Sequence, residues 1–186
     1  SLLGSEETGT GPIAYWDFNE GAGTSAHDVI AENNGVVSNI TWQTKDSCIL
    51  NSCILFNGSS SNVVVNDSPI LKPSEQISIS GWIKPNEIKN QDIVNKGDGG
   101  ATGAGYRVYM YSSGELRFWI YDGAGNIQNI GSGSVIMSPD QWYFFTATYD
   151  GSNTRIYING KLASTSGTIS GFTQKSGSLS ISGSSF

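Results

Sequence analysis

The chain has 186 residues, room for one large β-sandwich or two small domains, and its 37% hydrophobic and 11% aromatic content is enough to fill a core. Only 14% of residues are charged, so polarity rests on Ser, Thr, Asn and 24 Gly, a balance suited to a secreted β-protein with many turns. The net charge of −6 and the scatter of ten basic residues argue against a nucleic-acid ligand, and no stretch approaches the roughly 18 apolar residues of a membrane helix.

Residues 1–11 form a polar lead-in without the charged-then-apolar pattern of a leader, so the chain is expected to be a mature product or an excised segment. Beyond it, period-two alternation is frequent and helical spacing scarce. Residues 13–18 read as an opening strand. Around it, Asp17, Glu20, Asp28 and Asn34, the last in an Asn33-Asn34-Gly35 loop, offer the oxygen ligands that calcium prefers, so one structural Ca²⁺ is a candidate cofactor. The spacing is not that of an EF-hand, and the same residues also suit turns that bond their own backbone. His27, the only histidine, lies in a polar run and reads as a solvated loop residue. A Ser-His-Asp or Cys-His centre would have to use it, which argues against that chemistry.

Cys48 and Cys53 flank a plausible turn at Asn51-Ser52. They read as a short-loop disulfide, which would place the chain in an oxidising, extracellular setting, or as two unrelated thiols. Zinc lacks the further Cys or His it would need. A ring so short would add only about 2 kcal/mol. Sequons at Asn39, Asn57 and Asn66 are permissive of such a location.

Further strands read at residues 53–56, 62–65, 77–83, 92–95, 106–111, 115–121, 142–149, 155–158 and 179–181. Turn signals separate them, among them Asn57-Gly58, Ser113-Gly114, Asp122-Gly123, Asp150-Gly151 and Asn159-Gly160. The Gly-rich run from Asp98 to Gly105 lacks the Lys-Ser/Thr of a phosphate loop and reads as a hairpin loop. Ten or more short strands with a turn roughly every ten residues predict an all-β fold, an antiparallel two-sheet β-sandwich, in one domain over residues 12–186.

The hairpin of residues 106–111 and 115–121 carries the main candidate site. Val108, Met110, Leu116, Phe118 and Ile120 agree on one face only if the loop is Ser112-Ser113-Gly114, because a one-residue slip exchanges faces. That register sets Tyr109 opposite Arg117 and Arg107 opposite Trp119, with Tyr121 on the same side. Flat rings interleaved with guanidinium groups suit a sugar's apolar face and its hydroxyl or carboxylate groups. The other reading is cross-strand cation–π packing on an ordinary sheet face. Of the remaining tryptophans, Trp16, Trp82 and Trp142 read as core or sheet-edge packing and Trp42 as exposed.

Tyr15-Trp16-Asp17-Phe18-Asn19-Glu20-Gly21, Leu55-Phe56-Asn57-Gly58, Ile79-Ser80-Gly81-Trp82-Ile83-Lys84-Pro85, Val94-Asn95-Lys96-Gly97-Asp98, Gln141-Trp142-Tyr143 and Thr148-Tyr149-Asp150-Gly151, followed by Arg155-Ile156-Tyr157-Ile158-Asn159-Gly160-Lys161, stand in a distinctive order. Over about residues 12–183 this order resembles laminin G-like, concanavalin A-like jelly rolls. The resemblance implies two antiparallel sheets packed face to face, one concave, and often a calcium joining the N-terminal region to an acidic residue on a closing strand. That closing strand, expected past residues 179–183, is absent from these residues, so either the chain is cut or another molecule covers the exposed edge.

The expectation that follows is a non-catalytic extracellular binding or adhesion module for a glycan or glycoprotein surface. A structural domain of a surface filament or array, its edge completed by a partner strand or neighbouring subunit, is the alternative. A remnant polysaccharide-active enzyme is a further one, although the Glu-x-Asp-x-x-Glu arrangement of jelly-roll glucanases is absent.

Overall fold

The computed structural model describes residues 11–97, 104–122, 127–166, 172–174 and 176–182. Most of the lead-in, most of the Gly-rich loop, Gly123 of its turn and everything after Ser182 lie outside the described residues. Among the described residues fourteen strands run in chain order: β1 (Ser25–Ala26), β2 (Gly35–Ser38), β3 (Thr41–Thr44), β4 (Ser52–Leu55), β5 (Asn62–Val65), β6 (Ile77–Ile83), β7 (Gln91–Gly97), β8 (Gly105–Met110), β9 (Glu115–Tyr121), β10 (Ile127–Ile136), β11 (Tyr143–Tyr149), β12 (Thr154–Ile158), β13 (Lys161–Thr165) and β14 (Leu179–Ser182). The only helical pieces among the described residues are two short 3₁₀ turns, Lys45–Ser47 and Pro69–Leu71.

The strands form an eight-stranded sheet, ordered β1-β2-β5-β14-β7-β8-β9-β10, and a four-stranded sheet, ordered β13-β12-β11-β6. The β3–β4 hairpin makes a small third sheet. All pairings between strands are antiparallel. Period-two alternation decides what is buried. Val108, Met110, Leu116, Phe118 and Ile120 of the large sheet meet Phe145, Ala147, Tyr149 and Ile156 of the small one in a single core. A second cluster of Ala26, Val37 and Val63 sits under the β3–β4 hairpin with Trp16 and Trp42 against it.

Turn chemistry acts where the sequence marks it. Asn159 and Gly160 both take positive φ, 51° and 75°, and close the two-residue β12–β13 loop. Gly114, at φ +83°, ends the three-residue loop 112–114, which the backbone pairing of Tyr111 with Glu115 closes between β8 and β9. Asn57 works differently: its Oδ1 accepts the N–H groups of Ser59, Ser60 and Ser61 and organises the whole loop. The Cys48–Cys53 bond is formed, with Cα atoms 5.7 Å apart, and ties the residue after the first 3₁₀ turn to β4.

Several expectations are corrected. Residues 13–18 make no strand; Trp16 forms only an isolated bridge to Asp28, and Phe18 at φ 53° turns the chain aside. Trp42 is half-buried rather than exposed, because its indole N–H donates to the Gly23 carbonyl at 3.0 Å. Trp82, by contrast, is 50% exposed on the outer side of β6, packed on Phe144. Strands β1, β2, β3, β10 and β13 lack a clear alternating pattern and emerge only through pairing.

One ion pair reaches from the surface into the core. Lys96, on the core-facing side of β7, is 0% exposed. Its ammonium donates to Asp67 Oδ1 at 2.7 Å and to the Gly177 carbonyl, while Asp67 Oδ2 accepts from Lys72. The Lys72 and Lys96 bonds hold the Asp67 carboxyl well below the usual carboxylate range. A depressed folded-state value means the stability from this clamp is present above the unfolded value near 3.8 and is lost as pH falls below it. Asp67→Asn is therefore expected to lower Tm at pH 7 and to flatten the fall in stability between pH 4 and 2, about the carboxylate range. Thermal unfolding followed by circular dichroism across that range tests this, and an unchanged acid limb would refute it.

Candidate functional site

Strands β8 and β9 lie toward one side of the eight-stranded sheet, and their residues that point away from the core form the site. The loop and register are those the alternation required: Tyr109 pairs with Arg117 and Arg107 with Trp119. Neighbouring strands extend the second pair into a row across the sheet. Ser180 of β14, Asn95 of β7, Arg107, Trp119 and Asn129 of β10 are successive partners.

Arg107 is the centre of this face and is itself buried, at 8% exposure. Its guanidinium carbon lies 4.2 Å from the Tyr109 ring centroid and 5.0 Å from that of Trp119. Its Nε donates to Asp92, a fully buried carboxylate on β7. Each ring contact is worth ~0.5–2 kcal/mol, the larger figure applying where water is excluded. Burial pushes the Asp92 carboxyl above its usual range, with the Arg107 hydrogen bond pulling the other way. Desolvation also raises the Tyr109 hydroxyl. Tyr109 packs against Trp119 at 5.9 Å and edge-on to Tyr111 at 5.2 Å. Arg117 lies 4.3 Å from the Tyr111 centroid and bonds Glu115 through Nε and Nη2, at 3.0 and 2.8 Å.

The five expected contact residues thus divide. Tyr109, Arg117 and Trp119 are half-buried and reach the surface. Arg107 does not present its charge outward, because the two rings and Asp92 enclose it. Tyr121 is only 2% exposed, at the end of β9 where its carbonyl accepts the N–H of the returning residue Thr173, so it is corrected from surface contact to buried support. Trp119 Nε1 is buried without a hydrogen-bond partner. Sequence reasoning missed Asp92, Glu115 and Tyr111. The pairing of β7 with β8 across the Gly-rich loop is the signal that would have brought Asp92 to Arg107.

The N-terminal residues proposed for calcium spend most of their oxygens on N–H groups. Asp28, buried, accepts from the backbone of Tyr15, Ile30 and Asn33 and from the Asn33 amide. Asn34 Oδ1 accepts the Asp28 N–H, and Asp17 bonds Asn19. Glu20 Oε1 holds the backbone N–H of His27 and faces its ring at 3.2 Å, while Oε2 is buried without a partner. No group of three or more His, Cys, Asp or Glu side chains with metal-holding geometry occurs among the described residues. His27 itself is an exposed loop residue, as its sequence setting suggested.

A second feature lies between the sheets. At the β6 edge they part into a mainly apolar cleft of about 880 Å³, lined among others by Ile79, Ile83, Val94, Ile181, Ile54 and Leu50. On β11 Phe145, Ala147 and Tyr149 are buried, whereas Ile77, Ile79 and Ile83 on β6 are only half-buried. Among the described residues, strand β6 has no partner on its outer side.

The profile of the concanavalin A-like lectin/glucanases superfamily matches residues 57–186. No protein of curated function matches the sequence. Among solved structures, the binding domain of botulinum neurotoxin DC, solved with a sialylated ligand, is similar at TM-score 0.62 and 18% identity over 89% of this chain and 44% of that one. The binding domain of botulinum neurotoxin serotype D gives 0.63 and 17% over 87% and 42%. Domain 4 of AbnA, an extracellular arabinanase of Geobacillus stearothermophilus solved with arabinotriose, gives 0.57 and 15% over 77% and 66%. The chain spans less than half of either toxin domain, and at these identities the likeness is one of fold.

Replacing Asp92 by Ala leaves the enclosed Arg107 without its counter-charge. The expected loss is about 3–5 kcal/mol, the usual cost of breaking a buried pair from one side. Urea unfolding measures it; a loss below about 1 kcal/mol, the range of exposed pairs, would show that Arg107 is not held as described.

Proposed function

Because the chain belongs to the concanavalin A-like lectin/glucanases superfamily, we propose that it is a non-catalytic carbohydrate-binding module of a secreted or cell-surface protein. The observation that carries this reading is Arg107 fixed between the Tyr109 and Trp119 rings on the outer face of the large sheet. Such a platform is rigid before any ligand arrives, so little side-chain entropy is lost on contact. Rings of this kind stack on the apolar face of a sugar, and Asn95 and Asn129 add hydrogen-bonding groups in the same row. Two kinds of structural neighbour, solved with a sialylated ligand and with arabinotriose, support the reading. The disulfide supports an oxidising location, and no helix among the described residues is long and apolar enough to cross a membrane.

Tyr109→Ala is the informative variant, because Arg107→Ala would also remove the counter-charge of buried Asp92. It is expected to weaken retention on a glycan array by roughly tenfold, the upper range for one aromatic contact. Undiminished retention by Tyr109→Ala, or turnover of any polysaccharide by the purified domain, would overturn the proposal.

Calcium stays a proposal for the loop of Asp17, Glu20, Asp28 and Asn34, where Glu20 Oε2 is the oxygen left over. A rise in Tm with millimolar Ca²⁺ that Glu20→Gln abolishes is the expected sign. No change in wild-type Tm would remove calcium from the account.

The cleft favours a second reading, in assembly: β6 accepts a further strand from a partner. Per residue, a strand between stacked sheets fills about 160 Å³, from spacings of ~4.8, ~3.4 and ~10 Å. The cleft therefore matches about five residues of added strand beside the seven of β6. A seven-residue peptide with Val at alternate positions is expected to raise Tm by about 5–10 °C at a hundredfold excess over Kd. A scrambled peptide with the same effect would refute strand addition.

A further inference from the structure

Resting on the carbohydrate reading of the β8–β9 face, we infer that this face selects uncharged glycan chains over sialylated or uronate-bearing ones. An exposed pair of arginines is the usual means of capturing a carboxylate, and the sequence offers two here. The structure withdraws both. Arg107 is 8% exposed and bonded to Asp92. Arg117 keeps some surface, but its Nε and Nη2 both point to Glu115 Oε2. The two cations are thus matched by two carboxylates, and the site's net charge is close to zero.

The groups around them agree. Ser180, Asn95 and Asn129, the polar partners in the row through Arg107 and Trp119, are neutral. Among the described residues, the other ion-paired Lys and Arg side chains, namely Lys72, Lys89, Lys96 and Arg155, pair with Asp67, Glu87, Asp67 and Asp150, all outside β8 and β9. The chain as a whole carries a net charge of −6, so its long-range field repels an anionic ligand before contact. What remains for recognition is ring stacking and hydrogen bonding to hydroxyl groups, and neutral sugars satisfy both. An acidic sugar would lose the hydration of its carboxylate and find both guanidinium groups already engaged.

The test uses matched probes in binding assays at low salt: galactan against polygalacturonate oligomers, and N-acetyllactosamine against its sialylated form. The neutral member of each pair is expected to be retained at least tenfold better, roughly 1.4 kcal/mol. Glu115→Gln leaves the shape but frees Arg117, so it is expected to raise retention of the acidic probes several-fold in a salt-sensitive manner. The double variant Glu115→Gln/Arg117→Gln should return to the neutral preference, with circular dichroism verifying that both variants fold. Preferential retention of the acidic probes by the wild type overturns the inference and leaves the carbohydrate reading standing. Failure of the wild type to retain any glycan overturns the carbohydrate reading and this inference with it. Unchanged probe preference in folded Glu115→Gln refutes charge pairing as the cause.

Discussion

The register between β8 and β9 constrains everything the large sheet does. Gly114 closes a three-residue loop at positive φ, and that closure puts Phe118 opposite Val108 and Trp119 opposite Arg107. Inward, the same pairing builds the middle of the core; outward, it stacks guanidinium on rings. A slip of one residue would turn Arg107 and Arg117 toward the core and the core residues toward water. Core and candidate site are two sides of one alignment, so the site inherits the rigidity of the most deeply buried part of the molecule.

The sandwich is closed unevenly. On one side β10 runs long, with a register shift after Gly131, and approaches β12 and β13 of the facing sheet. On the other side β6 ends the small sheet while the large sheet continues through β14, β5, β2 and β1. Four strands therefore face eight, and apolar residues along the β6 edge remain half-covered. The exposed Leu50 and Trp82 rim the same opening. Exposed apolar side chains bordering an unpaired strand are the conditions under which a further strand adds most readily.

Charge is scarce in this chain, and six of its ten basic residues are ion-paired. Asp67 serves Lys72 and Lys96, Asp92 serves Arg107, Glu115 serves Arg117, and Asp150 serves Arg155. Asp150 also caps its own turn through the N–H groups of Ser152 and Asn153, which together with Arg155 lowers its carboxyl to about 2. Carboxylates so engaged fix loops and strands to one another. They leave little unmatched charge at the site, and recognition there falls to shape, rings and hydroxyl-bonding groups.

The amino-acid sequence alone determined the strand class, the β8–β9 register and the Asn159-Gly160 turn, because each depends on residues near one another along the chain. Alternation of apolar residues is a local property, and so is the need for glycine or asparagine at positive φ. Which arginine reaches solvent was decided only by tertiary structure. Arg107 and Arg117 occupy equivalent places in the alternation, yet one is enclosed because β7 brings Asp92 alongside it from fifteen residues away. The same holds for Tyr121, buried where the returning chain crosses the end of β9, and for the cleft beside β6, which exists only because two sheets of unequal width are stacked. Burial and electrostatic pairing are sums over neighbours in space, and the linear order of residues does not contain them.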